Sequence, residues 1–128
     1  MTFAMSVPAS EAAHPAAVDP DVLDLEPMLR NFGGISPMVT DLYALFLRNE
    51  EDLHRTIRSK LRDGDLAGAR LAAHAAGGAA RTAGARQLAA LCSTIEEALV
   101  RGDAPAAARG SQALSGALAA VRAMVARI

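Results

Sequence analysis

The 128 residues of the chain suffice for one domain with a single core and are too few for two. Hydrophobic residues make up 52% of the sequence and aromatic residues only 3%, so small and aliphatic side chains dominate, which favours closely packed helices. Because 13 Lys and Arg residues nearly balance 14 Asp and Glu residues, we expect no binding to nucleic acid or to an anionic membrane.

The N-terminal sequence lacks a signal-peptide pattern, and no uncharged apolar run reaches the length of a membrane span. The single Cys92 cannot form an intramolecular disulfide, which fits a reducing, cytoplasmic compartment. Cys92 also has no sequence neighbours at metal-ligand spacing, so we predict an inert buried thiol and no metal site. A start at Met1, followed by a short tail and one domain, favours a free-standing protein.

Residues 1–19 have no helical periodicity and are predicted to form a flexible tail. Asp19-Pro20 is typical of a helix start and predicts a short first helix that stops near Gly33-Gly34. Ser36-Pro37 predicts the start of a longer second helix. Its apolar stripe is predicted to contain Val39, Leu42, Leu45, Phe46, Leu53, Ile57 and Leu61.

Three further helices follow, separated by Gly-containing turns at 63–65, 83–84 and 101–103. The third, from Leu66 to about Thr82, has a small-residue inner side: Ala69, Ala73, Ala76, Gly77 and Ala80. On the fourth helix, the residues predicted to face the core are Leu88, Leu91, Cys92, Ile95 and Leu99. On the fifth helix, they are Leu114, Leu118, Val121, Val125 and Ile128. Short loops between long helices predict an all-α fold, an antiparallel up-down four-helix bundle over residues 20–128 with an additional short N-terminal helix. We expect a monomer.

The three histidines have different settings. His14 lies in the tail, and His54 lies off the apolar stripe, where we expect a solvated side chain. His74 falls on the outward face of the third helix. The residues that share this face at helical spacing are Arg70, Gly78 and Arg81.

Gly77 and Gly78 lie in the interior of the predicted third helix, where each glycine destabilises the helix by roughly 1 kcal/mol relative to alanine. A glycine at position 78 removes the side chain that would crowd the imidazole of His74, so another protein could approach it closely. Arg70 and Arg81 would favour negative charge added to the ring.

The stretch from Ala73 to Ala85, with Leu88, Leu91, Cys92 and Glu96 after it, resembles the histidine-containing phosphotransfer (HPt) domain. The pattern of that family reads Ala-His-x-Leu-Lys-Gly, then small residues, Gly-Ala, Leu, a small position and Leu-Glu. The resemblance covers about residues 20–128. It implies a helical phosphocarrier, not an enzyme, whose phosphorylation site is His74.

In such a phosphorelay, Nε2 of the histidine accepts a phosphoryl group from a receiver-domain aspartate and passes it to another receiver. The resemblance therefore implies response-regulator receiver domains and a sensor or hybrid histidine kinase as partners. It implies no cofactor on this chain, because Mg²⁺ belongs to the receiver. The predicted docking residues are Ala75, Gly77, Gly78 and Ala79, together with the middle of the second helix.

The chain departs from the family pattern at two positions, where Ala76 replaces Leu and Gly77 replaces Lys. We hypothesise that Arg81 or Arg70 supplies the missing positive charge. The departure at position 77 also leaves open a degenerate adaptor that binds receivers or kinases without being phosphorylated. An enzyme or metal protein is disfavoured, because no second His, Cys or carboxylate pair lies near His74 at ligand or acid-base spacing. We expect Glu96-Glu97 to be a solvated helix face.

Overall fold

The computed structural model describes residues 18–128, which form five helices and no strand. The helices are α1 (Glu26–Phe32), α2 (Pro37–Arg62), α3 (Leu66–Ala83), α4 (Arg86–Val100) and α5 (Ala104–Val125). Each long helix packs against two others, because α2 contacts α3 and α5 while α4 contacts α3 and α5. The predicted all-α bundle is confirmed. None of these five helices combines the length and the apolar character that crossing a bilayer requires.

Side-chain caps fix the starts of three long helices. In each case a Ser or Asp oxygen accepts a hydrogen bond from a backbone N–H of the first turn, which would otherwise have no partner. The acceptor and donor residues, with the distances between their oxygen and nitrogen atoms, are Ser36 and Val39 (3.3 Å), Asp65 and Gly68 (2.8 Å), and Asp103 and Ala106 (3.1 Å). The starts predicted for α2, α3 and α5 are therefore confirmed.

The predicted start of the first helix at Asp19-Pro20 is wrong, because these residues form a turn and α1 begins at Glu26. The N–H of Asp24 donates a hydrogen bond to the carbonyl of Gly84 at 2.8 Å, at the turn between α3 and α4. A helical Asp24 would direct this N–H along its own helix. The long-range hydrogen bond thus keeps the segment before α1 out of helical conformation.

Of the predicted tail, residues 1–17, which include His14, lie outside the described residues. Val18 is 5% exposed and belongs to the core. The N–H of Asp19 donates to the sulfur of Met124 at 3.4 Å. Packing against the bundle therefore extends to Val18, two positions before the predicted start of the bundle at residue 20.

The inner face of α3 consists of small residues that touch its neighbours directly. Every residue predicted to lie on this face is buried: Ala69, Ala73, Ala76, Gly77 and Ala80. Such short side chains let α3 approach α2 and α4 closely, and these are the two helices that it contacts most extensively. The prediction of a tightly packed third helix is confirmed.

Most of the inner stripe predicted for α2 is confirmed. Five of its seven residues are buried or pack against the core: Val39, Phe46, Leu53, Ile57 and Leu61. Leu45, predicted to be inward, is 55% exposed, whereas His54, predicted to be solvated, is 2% exposed. Tyr43 and Glu50 are also fully buried. The errors at Leu45 and His54 arose because the prediction followed leucines, whereas the buried face also carries a tyrosine and two polar residues at helical spacing.

We expect Gly84→Ala to destabilise the bundle more than Gly102→Ala. Both glycines have positive φ, 82° and 73°, which costs an L-residue about 1–2 kcal/mol. A Cβ on Gly84 would lie 2.0 Å from the carbonyl oxygen of Asp24, whereas nothing lies within 4 Å of one on Gly102. Chemical denaturation should show an additional loss of about 2 kcal/mol for Gly84→Ala. Equal losses would contradict the close contact with Asp24.

Candidate functional site

The imidazole of His74 lies on the outward face of α3, with 68% of its side chain exposed. This is the orientation that the helical spacing predicts. Its Nδ1 atom is 2.9 Å from Oε2 of Glu96 on α4. Among the described residues, that carboxylate is the hydrogen-bond partner of the ring, so Nε2 is the nitrogen left available to solvent.

Glu96 was expected to be simply solvated, and this expectation is wrong. Its side chain is 24% exposed and contacts His74 across the α3–α4 interface. Glu96 follows the fully buried Ile95, so it lies at the edge of the inner face of α4, where a long side chain can reach the neighbouring helix. Glu97, one position further along, is exposed as expected.

The hydrogen bond to Glu96 determines which nitrogen of His74 can react. An ionised carboxylate only accepts hydrogen bonds, so Nδ1 must carry the proton that is shared with Glu96. In a neutral imidazole with a proton on Nδ1, Nε2 has the free lone pair. The geometry therefore presents a nucleophilic nitrogen on the exposed side of the ring.

A polar cleft of about 550 Å³ surrounds this histidine between α3 and the end of α4. Arg81 lies in it, and its guanidinium donates a hydrogen bond to Oγ of Ser93 at 3.3 Å. Arg70 is exposed but does not line the cleft. The residues that line the cleft are His74, Arg81, Ser93, Glu96, Glu97, Val100 and Arg101.

The two glycines after His74 have different environments. Gly77 is buried, and a Cβ added to it would lie 3.2 Å from Cβ of Cys92 and 3.5 Å from a guanidinium nitrogen of Arg81. Gly77 therefore belongs to the α3–α4 contact, which corrects its predicted place on the docking surface and leaves little room for a lysine. Gly78 has open space around its Cα position, as predicted.

An apolar groove of about 580 Å³ runs along the other flank of α3, where α1 and α2 meet it. Phe32 and Leu45 on its walls are 43% and 55% exposed, which is unusual for side chains of their size. Of the predicted docking residues, Gly78 and Ala79 line the groove, and Ala75 is exposed outside it. The residues that line the groove are Met28, Asn31, Phe32, Leu42, Leu45, Phe46, Asn49, Gly78, Ala79, Thr82 and Ala83.

Cys92 is fully buried, as predicted, and lies on the inner face of α4. Burial, and secondarily the nearby Glu50 carboxylate, raises the pKa of its thiol to about 12. Folding places Glu50 and His54 of α2 beside this thiol. The expectation of no ligand neighbours for Cys92 relied on spacing along the sequence, which cannot reveal a contact between α2 and α4.

The sequence was compared with models of protein families, and the model of the Hpt domain matches residues 41–126. The chain belongs to the HPt domain family. The matched segment runs from the first turns of α2 to the end of α5 and contains both His74 and Glu96. Neither a search of curated proteins nor a search of solved structures gave a match. HPt domains act in two-component phosphotransfer as phosphocarriers and interact with receiver domains and kinases.

Proposed function

We propose that this HPt domain is a phosphorelay intermediate that accepts a phosphoryl group on Nε2 of His74 and passes it to a second receiver domain. The observation that supports this most directly is the His74–Glu96 pair. The ring is mostly exposed, and the hydrogen bond to Nδ1 at 2.9 Å leaves Nε2 as the reactive nitrogen. The other described histidine, His54, is buried and cannot meet another protein.

The chemical step is a displacement at phosphorus. The lone pair of Nε2 forms the new N–P bond while the bond between phosphorus and the receiver aspartate oxygen breaks, and the carboxylate leaves with the electron pair. The His74 ring gains positive charge as this bond forms. The Glu96 carboxylate, which accepts the Nδ1 proton in a hydrogen bond, stabilises that charge, and transfer to the next receiver reverses the step.

In this proposal, Arg81 supplies the positive charge beside the phosphoryl group. Its guanidinium lines the same cleft as His74 and lies over Gly77, where the family pattern has a lysine. The hydrogen bond to Ser93 restrains the Arg81 side chain on this side of α3. Arg70 is a weaker candidate, because it lies outside the cleft.

The apolar groove beside α3 is the proposed docking surface for the receiver. It contains exposed apolar side chains of α1 and α2 and the open backbone of Gly78, one turn after His74. A partner that covers Phe32 and Leu45 would remove apolar surface from water and bring its own active site towards the imidazole. The chain is then a carrier in the cytoplasm, while Mg²⁺ and the acidic residues that bind it belong to the receiver.

The deciding experiment incubates the purified protein with a phosphorylated receiver domain and Mg²⁺ and measures acid-labile, base-stable label. We expect label on the wild type and on His14→Gln, and none on His74→Gln, because within residues 18–128 His74 is the histidine with an exposed, oriented imidazole nitrogen. Label that persists in His74→Gln would contradict the proposal. Binding of the receiver without label on the wild type would instead establish a non-phosphorylated adaptor, which the glycine at position 77 makes a real second candidate.

Glu96→Gln should lower the rate of phosphotransfer to His74 roughly ten- to hundredfold, because an amide neither fixes the proton on Nδ1 nor stabilises a charged ring. Glu97→Gln is the matched control, since it removes the same charge from the same cleft without touching the imidazole. Rapid-quench measurements on both variants test this. Equal effects would mean that Glu96 acts only through overall charge.

Arg81→Ala should slow phosphotransfer roughly fivefold, which corresponds to the loss of about 1 kcal/mol from one exposed charge near the phosphoryl group. Arg70→Ala removes the same charge one turn before His74 and should leave the rate close to that of the wild type. The comparison is best made at low salt, where screening is weakest. Wild-type rates for both variants would rule out an arginine in place of the family lysine.

A further inference from the structure

Three potential metal ligands meet in the core of the bundle, away from His74. Glu50 and His54 lie one turn apart on α2, and Cys92 faces them from α4. All three are buried, with exposures of 0%, 2% and 0%. One ligand atom from each residue lies within 4.8 Å of the ligand atoms of the other two.

The hydrogen bonding of this cluster is incomplete. Oε1 of Glu50 is 3.0 Å from Nε2 of His54, but Oε2 of the same carboxylate is buried and has no hydrogen-bond partner among the described residues. A buried carboxylate oxygen without a partner costs free energy, and buried charges are normally paired or bound to metal ions. The orphaned oxygen therefore points to a group that residues 18–128 do not themselves provide.

We propose that Glu50, His54 and Cys92 bind one divalent zinc-type ion between α2 and α4. Thiolate, imidazole and carboxylate are the three ligand types that zinc accepts in proteins. The ion would replace the contact between His54 and Glu50, and coordination by both Glu50 oxygens would complete four ligand atoms. The orphaned oxygen then has a partner.

The charges of such a site sum to zero. Zinc contributes two positive charges, the Cys92 thiolate and the Glu50 carboxylate one negative charge each, and a neutral imidazole none. A neutral cluster avoids the penalty of an isolated charge in the apolar core. Binding displaces the thiol proton of Cys92 to solvent, as metal binding to cysteine requires. Arg81 and Glu96, the other charged groups that act on Cys92, carry opposite charges.

The ion would crosslink two helices that have no extensive direct contact with each other. In the bundle, α2 and α4 each pack mainly against α3 and α5. Coordination by Glu50, His54 and Cys92 would join α2 and α4 directly. It would also hold Cys92 against Gly77 on the inner face of α3. This role is structural and does not depend on phosphorylation of His74.

Cobalt(II) is a sensitive probe of this site because cobalt bound to a thiolate gives an intense near-ultraviolet charge-transfer band. The chain has a single cysteine, so any such band must come from Cys92. Titration of the folded, metal-free wild type should give this band with a stoichiometry of one ion per chain, and zinc should displace it. The His74→Gln variant should keep the band. The Cys92→Ser and Glu50→Gln variants should lose the band or bind cobalt more weakly.

A second measurement uses the wild type alone and so does not require that the core variants fold. Zinc in hundredfold excess over its dissociation constant should raise the midpoint of thermal unfolding by roughly 10 °C, and a chelator should reverse the shift. The His74→Gln variant controls for zinc bound at the surface and should show the same shift. A folded wild type that gives no thiolate band in excess cobalt, and no shift with zinc, would overturn the proposed site.

Discussion

The close approach of α3 to its neighbours is the constraint on which the rest of the structure depends. Its inner face has alanines and Gly77 where most bundles have larger aliphatic residues, so α3 packs directly against α2 and α4. Gly77 shows how little space is left, because even a methyl group there would press on Cβ of Cys92. At this separation the carboxylate of Glu96 reaches across to the ring of His74 at 2.9 Å. The small residues of α3 therefore set the separation across which His74 and Glu96 meet.

A single helix serves both the surface pair and the buried cluster. Cys92 and Glu96 lie one turn apart on α4, yet Cys92 faces α2 in the core and Glu96 faces the imidazole on α3. The buried side of α4 thus contributes Cys92 to a cluster whose other members, Glu50 and His54, lie on α2. The edge of this inner face contributes Glu96, whose carboxylate is hydrogen-bonded to His74. The placement of α4 therefore sets the positions of both Cys92 and Glu96.

Much of the fold and part of the site could be predicted from the sequence. Periodicity and capping residues located the four long helices, and the small residues of α3 placed His74 on the outside. The errors came from contacts between distant parts of the chain. The start of α1 depends on the hydrogen bond from Asp24 to Gly84, and the burial of His54 depends on the facing surfaces of other helices. The contact between Glu96 and His74 likewise depends on the distance between two helices, which the sequence spacing of their residues does not encode.

The groove and the cleft lie on opposite flanks of α3, and this separation has a consequence for how such a protein can diversify. The groove is apolar and is built mainly by α1 and α2, while the cleft is polar and is built by α3 and α4. With the groove as the proposed docking surface, a substitution on its walls would alter partner selection without disturbing the orientation of the imidazole. On that proposal, a lineage could acquire new specificity through drift on α1 and α2 alone, while the pair of His74 and Glu96 stays unchanged.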